Sequence, residues 1–491
     1  MDPATKLLST LSLLGLAVLV ISTSGIAAAH AILHKTDVRA AIGWVGLACL
    51  VPLVGPLLYG ILGINRIRRR AIELRPQRAH PLPRGGGPPR SEGQPIVRPV
   101  ADVVAGAGQH LAPVISLVDA VSPSSLTEGN AITPLWDGET AYAEMVAAIN
   151  GARRSLALAS YIFDNDRGGR MFCDALAAAV GRGVQVRVLI DGVGARYSYP
   201  PITPTLRRLG IPVREFLPSF LPLQLPYANL RNHRKILVVD GRIGFTGGMN
   251  IRSLYLRSQG GGHQINDVHF RLEGPVVRQL AEVFADDWAF TTNEVLAGTD
   301  WFPILSPAGN GAARAIASGP DEDVERIRWT IMAALSHARR QVSIVTPYFL
   351  PDSMLMTSLV MAAMRGVAVE IFLPQKNNLR LVQWASKAKL GLLLAQGCRV
   401  WETPPPFDHC KIMTVDGIWC LIGSANWDER SLRLNFELNV ECYDPHLAPS
   451  LDALIEAKRS AGREVTHKAV ETRSLPVKLR DGAAWLLSPY L

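Results

Sequence analysis

The pattern His-x-Lys-x4-Asp occurs twice in this chain, and each copy is followed at the same offset by Gly-x-x-Asn. The first reads His233-Arg-Lys235-Ile-Leu-Val-Val-Asp240, then Gly247-Gly-Met-Asn250; the second reads His409-Cys-Lys411-Ile-Met-Thr-Val-Asp416, then Gly423-Ser-Ala-Asn426. Blocks 232–250 and 408–426 align without a gap. The 491 residues include 11 histidines and 10 lysines. Such a composition gives one His-x-Lys-x4-Asp by chance on the order of once per hundred chains. Two copies sharing a downstream Gly-x-x-Asn mark a duplication.

A lysine two residues after a histidine, at the start of an apolar run such as Lys235-Ile-Leu-Val-Val, shares its strand face, because strand side chains alternate with period two. An imidazole and an ammonium should therefore converge on one ligand. Asp240 and Asp416 complete the motif but lie an odd number of residues from their histidines. They are expected to leave that face and open the Asp-Gly turns of two hairpins, a structural part. The returning segments, 242–248 and 418–424, bring Asn250 and Asn426 back beside the His/Lys pairs.

Two facing half-sites supply two imidazoles, two ammonium groups and two amides around one anion. A phosphodiester suits them. One imidazole can attack phosphorus and form a phosphohistidine, the other can protonate the departing alkoxide, and the lysines can stabilise the equatorial oxygens. No metal and no cofactor is expected, because no dense set of carboxylates or Cys/His at ligand spacing stands near either block. Each imidazole needs a carboxylate on its distal nitrogen, and Asp267 and Glu437 follow their blocks at similar distances. His263 and His269 lack repeat partners and read as structural. Cys410 reads as a small core residue.

These residues resemble the phospholipase D superfamily, whose signature is H-x-K-x4-D with a downstream G-[GS]-x-N, and within it the bacterial cardiolipin synthases. The segments Ser160-Tyr-Ile-Phe-Asp-Asn-Asp, Thr246-Gly-Gly-Met-Asn-Ile, Phe270-Arg-Leu-Glu-Gly-Pro, Thr346-Pro-Tyr-Phe-Leu-Pro-Asp and 423–437 carry the likeness, which extends over residues 130–445. The resemblance implies a catalytic set of His233, Lys235, Asp240, His409, Lys411 and Asp416, with His233 as nucleophile and His409 as general acid and base. Asn250, Asn426 and Ser424 would bind the phosphoryl oxygens, and Asp267 and Glu437 would orient the imidazoles. The first block has Gly248 where the second has Ser424, so the half-sites are not identical.

The elements that must position these groups are also duplicated. Residues 148–189 and 335–373 each hold Ala-Arg-Arg, a tyrosine (Tyr161, Tyr348) and an Arg-Gly-Val run of alternating apolar residues. Strand, helix, strand and hairpin recur in each half. The expected fold is α/β: two pseudo-repeated sandwich domains, 113–300 and 301–491, with the site at their interface.

Ahead of them, 7–29 and 40–64 contain no charged residue, and each exceeds the roughly 20 residues that cross a bilayer core. They are expected to form a transmembrane hairpin within an anchor at 1–70. Arg66, Arg68, Arg69 and Arg70 follow it, which places both chain ends and the catalytic body in the cytoplasm. A cleaved signal peptide is the rival, with Ala27-Ala-Ala-His-Ala31 as its cleavage site, but the second span and its arginines oppose it.

Residues 71–112 form a flexible Pro/Gly/Arg-rich linker, whose arginines either bind anionic headgroups or merely keep a solvated tether soluble. The net charge is +9. With no aromatic stacking pattern beside the basic stretch, that charge points to anionic membrane rather than nucleic acid. Six scattered cysteines imply a reducing compartment. The apolar segment 216–227 is a candidate for lining an acyl groove or dipping into the membrane interface, with ordinary loop packing as the alternative, and 485–491 poses the same choice. A membrane-bound phosphatidyltransferase making cardiolipin from two phosphatidylglycerol molecules fits best. A hydrolytic phospholipase D, a phosphatidylethanolamine-using transferase, a nuclease and a non-catalytic scaffold are the alternatives.

Overall fold

A computed structural model describes residues 3–35, 38–63, 106–218, 230–257, 264–320 and 325–488. They fall into an N-terminal unit within Met1–Glu73 and a larger unit that holds both repeats.

In the first repeat the strands are β1 (Thr127–Leu135), β2 (Ser155–Ser160), β3 (Gln185–Asp191), β4 (Val213–Phe216), β5 (Ile236–Val239), β6 (Ile243–Gly247), β7 (Ile265–Asn266) and β8 (His269–Glu273). The second supplies β9 (Gly311–Ser318), β10 (Gln341–Val345), β11 (Phe349–Leu350), β12 (Ala368–Pro374), β13 (Arg399–Thr403), β14 (Phe407–Asp408), β15 (Ile412–Val415), β16 (Trp419–Gly423), β17 (Trp427–Asp428), β18 (Glu437–Tyr443) and β19 (Arg463–Glu464). The two repeats share one sheet, in the order β19-β13-β12-β10-β15-β16-β18-β9-β1-β8-β6-β5-β2-β3-β4. Its pseudo-twofold axis falls between β9 and β1, which pair antiparallel. Reading outward from that seam, β1, β8, β6, β5, β2 and β3 match β9, β18, β16, β15, β10 and β12.

Strands β2, β5 and β15 are buried along their whole length, and β10 from Val342 on, as apolar runs covered on both faces must be. Flanking helices start where a side chain can cap them. Asp137 accepts from Thr140 N, Asp166 from Gly169 N and Asp352 from Leu355 N, each replacing a partner missing in the first helical turn. Each repeat packs its own core, one around Leu158, Val188 and Phe245, the other around Ile344, Ile371 and Trp419.

The N-terminal unit shows the expected hairpin in part, with helix Pro3–His34 packed against Val38–Leu50. Helix Pro3–His34 contains a stretch, Leu11–His34, long and apolar enough to cross a bilayer. The second run is not one helix: Val38–Leu50 ends before a turn at Pro52 and Leu53, and Val54–Leu58 and a π-turn at Tyr59–Gly63 follow. Proline lacks the N–H that a continuing helix needs. Leu53 takes a left-handed φ of 65°. Thirteen residues of helix span only about 20 Å, short of the ~30 Å hydrocarbon core. His30 Nδ1 lies 2.8 Å from the Tyr59 hydroxyl, so the run after the turn packs on the first helix. Most of the 71–112 linker, most of the 216–227 segment and residue 263 lie outside the described residues.

Candidate active site

Both hairpins form as the motif requires. β5 pairs with β6 and β15 with β16, and the connecting turns place Asp240 and Asp416 at φ 52° and 56°. The carboxylate of Asp240 accepts the N–H groups of Arg154 (2.7 Å) and Ser155 (3.0 Å) at the start of β2. Asp416 does the same for Arg340 (2.8 Å) and Gln341 (2.9 Å) before β10, and also meets His110 Nε2 at 2.6 Å. Both aspartates therefore sit at the far end of their strand from the histidine. They lock hairpin to sheet and take no place among the reacting groups.

His233 and Lys235 precede β5 rather than lying within it, as do His409 and Lys411 relative to β15. Each lysine folds back, donating from Nζ to the backbone oxygen of its own histidine at 2.6 Å. All four side chains are buried.

What brings the halves together is an exchange across the seam. The N–H of His233 donates to Phe436 O at 2.9 Å and that of His409 to Asn266 O at 2.7 Å. The residue after each acceptor is the orienting carboxylate. His233 Nδ1 donates to Glu437 at 3.0 Å and His409 Nδ1 to Asp267 at 2.9 Å. Each imidazole is thus held by the opposite repeat, and the parallel pairing of β14 with β7 fixes the second crossing. With Nδ1 engaged, Nε2 is the nitrogen left for chemistry.

The surroundings of the two carboxylates differ. Ser424 Oγ donates to Glu437 at 2.5 Å, so it supports the carboxylate. A side chain at Gly248 has no such room: a Cβ there would lie 2.4 Å from Asp267 Oδ2. Tyr255 comes within 3.3 Å of His409 Nδ1, and Lys411 Nζ within 3.1 Å. Asn250 Oδ1 accepts the N–H of Ile162 at 3.1 Å, whereas the buried Oδ1 of Asn426 has no partner among the described residues and its amide nitrogen donates to Ser431 Oγ at 3.3 Å. Tyr161 stands edge-on to His233 and Tyr348 edge-on to His409, with centroids 5.0 and 6.3 Å apart.

Burial dominates the electrostatics. It lowers His233 to about 4 despite Glu437, and takes His409 well below the usual imidazole value with the help of Lys411 and Lys235. Both rings are neutral and nucleophilic at pH 7. Burial also pulls Lys235 to about 7 and Lys411 to about 8, and pushes Asp267 up to about 7. Glu437 goes the other way: burial would raise it, but His233, Lys235 and the Ser424 hydroxyl outweigh that and hold it below the usual carboxylate value. Among the described residues no group of three or more His, Cys, Asp or Glu could hold a metal ion.

Beyond the residues legible in the motif, Tyr255 and a buried Arg234 belong to the assembly. Arg234 pairs with Asp287 at 2.6 Å and donates to Glu437 O at 3.1 Å. His269 is buried in β8 and neutral, its value pushed down to about 3 by burial. Cys410 is buried, as expected of a core residue.

The family described as cardiolipin synthase, PLD-like domain, matches residues 145–288 and 331–458, one stretch in each repeat. The chain belongs to that family. It is 34% identical to the major cardiolipin synthase ClsA of Bacillus subtilis (strain 168) over 368 residues, 74% of this chain and 76% of that protein. It is 31% identical to the cardiolipin synthase of Geobacillus kaustophilus (strain HTA426) over 463 residues, 92% of this chain and 88% of the relative. In fold it is similar to the crystal structure of phosphatidylserine synthase from Haemophilus influenzae Rd KW20, with a TM-score of 0.59 at 14% identity, over 77% of this chain and all of that one. This family member is a phosphatidyltransferase of the phospholipase D type.

Proposed function

We propose that the protein makes cardiolipin from two molecules of phosphatidylglycerol, releasing glycerol. The observation that carries this reading is the crossed pair of imidazoles, each held through Nδ1 by a carboxylate of the other repeat. His233 Nε2 attacks the phosphorus of the first lipid, and the bond to the glycerol oxygen breaks as His409 protonates that oxygen. The product is a phosphatidyl-histidine. His409 then takes the proton of a hydroxyl on the second phosphatidylglycerol, whose oxygen displaces His233 from phosphorus. Lys235, Lys411, Asn250 and Asn426 hold the phosphoryl oxygens.

The role assignment has an electrostatic basis. Glu437 is held ionised against His233, which suits a ring that becomes cationic on phosphorylation. An arriving phosphodiester anion offsets the charge of Lys411 and Lys235, two of the influences that keep His409 unprotonated, and so draws His409 toward the acid form it needs.

The anionic lipid reaches the enzyme in a bilayer to which the N-terminal segment anchors it. Arg66 and Arg68 to Arg70 after that segment favour a catalytic unit on the cytoplasmic side of a bacterial membrane. Alkaline phosphatase joined after residue 110 is expected to be inactive in cells, and an active fusion would reverse this orientation. The reaction itself is tested with purified protein in mixed micelles, offered labelled phosphatidylglycerol, phosphatidylethanolamine and DNA separately in the presence of EDTA. Cardiolipin and glycerol from phosphatidylglycerol alone are expected. Phosphatidic acid as the main product would make the protein a hydrolase, and loss of turnover on chelation, restored by one divalent ion, would sink the two-histidine mechanism.

A further inference from the structure

The C-terminal helix, Leu475–Trp485, wears its apolar stripe on the outside. Val477, Asp481 and Ala484 point into the protein or toward its rim, with Asp481 and Ala484 fully buried. Leu475, Leu479 and Leu486, in contrast, are 68%, 64% and 70% exposed. At 100° per residue these three fall within about 40° of one another, opposite the buried face. A soluble helix normally turns such a stripe inward. Nothing in the described residues covers it.

The charge beside the stripe is positive. Lys468, Lys478 and Arg480 are exposed around it, against one exposed carboxylate, Glu471, which stands 3.6 Å from His467. The acidic Asp481 is buried and paired with Arg473 at 2.8 Å and with Arg480 at 2.7 Å. The helix packs on Arg380–Ala395, which contributes Arg380, Lys387 and Lys389 and no acidic residue. Reciprocal stacking clips the two together, Lys389 over Trp485 at 3.8 Å and Arg480 over Trp384 at 4.6 Å. Leu381 and Leu392, eleven residues apart on one face of that second helix, are also exposed.

The pair of helices adjoins the active site. Tyr348, edge-on to His409, packs with Val382, Ala385 and Ala484 in one cluster, and its hydroxyl donates to Asn378 at 2.9 Å, just before helix Arg380–Ala395. One layer of side chains therefore separates the exposed leucines' helix from the general acid's neighbour.

We propose that these two helices form an interfacial element that lies on an anionic bilayer surface and seats the catalytic unit there on the Tyr348 side. Outward leucines flanked by lysine and arginine are what such a surface selects: apolar side chains enter below the headgroups while cations meet the phosphates. A partner protein or a second copy would not by itself call for this excess of cations. The proposal rests on the reading of the substrate as a bilayer phospholipid, and its test separates the two.

The full-length chain, with Cys49 replaced by Ser, is given single cysteines at positions 475, 479, 480 and 486. Each is labelled with an environment-sensitive fluorophore and reconstituted into phosphatidylcholine vesicles carrying nitroxide lipids, with and without phosphatidylglycerol. Quenching at 475, 479 and 486 should exceed that at 480 severalfold and rise with phosphatidylglycerol. Uniform or absent quenching overturns the proposal, as does cross-linking of Leu479→Cys to a second copy in detergent. In parallel, Leu475→Gln/Leu479→Gln/Leu486→Gln should turn over vesicle phosphatidylglycerol about tenfold or more slowly, yet match the parent on a soluble p-nitrophenyl phosphodiester. An unchanged vesicle rate counts against the proposal. If the triple variant loses the soluble reaction too, Leu479→Gln alone decides by the same ratio. Should the parent act on neither substrate, the proposed reaction fails while the quenching pattern still stands or falls by itself.

Discussion

The two half-sites present the same His, Lys and Asn, yet the structure holds them with opposite materials. Within the first histidine block a cation, Arg234, between His233 and Lys235, pairs with an anion on helix Val276–Thr292, Asp287. In the second, a strand-side anion, Asp408, pairs at 2.5 Å with a cation on helix Leu447–Ala461, Lys458. Each arrangement leaves a buried charge compensated, as it must be. The reacting geometry thus depends on compensation and not on which side bears which sign. Divergence is free in the scaffold and constrained at the imidazoles. Where the half-sites differ next to the rings themselves, as in Gly248 against Ser424 and Tyr255 against Ser431, the difference assigns them different work.

The largest break in that comparison should come from the histidines. His233→Ala removes the nucleophile and is expected to abolish turnover, while His409→Ala keeps it and loses leaving-group protonation, a cost of ~10²–10⁴-fold. A p-nitrophenyl phosphodiester, whose leaving group needs little protonation, should partly rescue His409→Ala and leave His233→Ala inactive. Rescue of both, or of the wrong one, would remove the asymmetry.

Exchange of the residue beside each carboxylate comes next. Gly248→Ser forces Asp267 away from His409, and loss of that charge-assisted bond should lower kcat by roughly 10–100-fold. Ser424→Gly deletes only one donor to Glu437 and should cost ~10-fold or less. Equal effects from the two changes would mean the carboxylates are interchangeable.

Dependence on pH sharpens the picture further. With His233 lowered to about 4, its free base persists through the mildly acidic range, so this ring adds no fall in kcat/KM around pH 6.5, and a fall on the acid side of pH 7 reports protonation of Asp267, raised to about 7, instead. On the alkaline side, Lys235 at about 7 and Lys411 at about 8 lose their protons, and with them the attraction for a phosphodiester. The kcat/KM profile should therefore decline from about pH 7 to 8, mainly through a rising KM. A flat profile to pH 9 would show that the lysines stay charged and that burial does not govern them.

Much of this arrangement was legible in the residues. Asp240-Gly241 and Asp416-Gly417 signalled their hairpins because left-handed backbone at an Asp-Gly pair has few other uses. The crossing of Glu437 to His233 and Asp267 to His409 was not, since sequence distance ties each carboxylate to its own block. Only the pseudo-twofold axis at β1 and β9 carries it to the other. The repeat also misled slightly. Tyr161 and Tyr348 look equivalent, but β-pairing aligns Phe163 with Phe349, which matches Tyr348 to Ile162. Tyr255 gave no signal because its repeat partner is Ser431. Hydropathy counted 40–64 as one span, because an average over the run does not register that Pro52 breaks its hydrogen bonds.

The smallest predicted effect belongs to Tyr255. Its hydroxyl lies at 3.3 Å, longer than the Asp267 bond, so Tyr255→Phe should slow the acid-dependent step only a few-fold. The same change should leave p-nitrophenyl phosphodiester turnover unaltered, and an equal loss on both substrates would make Tyr255 a packing residue alone.

The central claim is that one imidazole becomes covalently bonded to phosphorus while the other does not. Enzyme mixed with phosphatidylglycerol labelled at its phosphate, quenched within a turnover and digested under alkaline conditions that preserve phosphohistidine, reports this directly. Label on the peptide containing His233 is the expected result, whereas label on the peptide containing His409, or on neither, would contradict it.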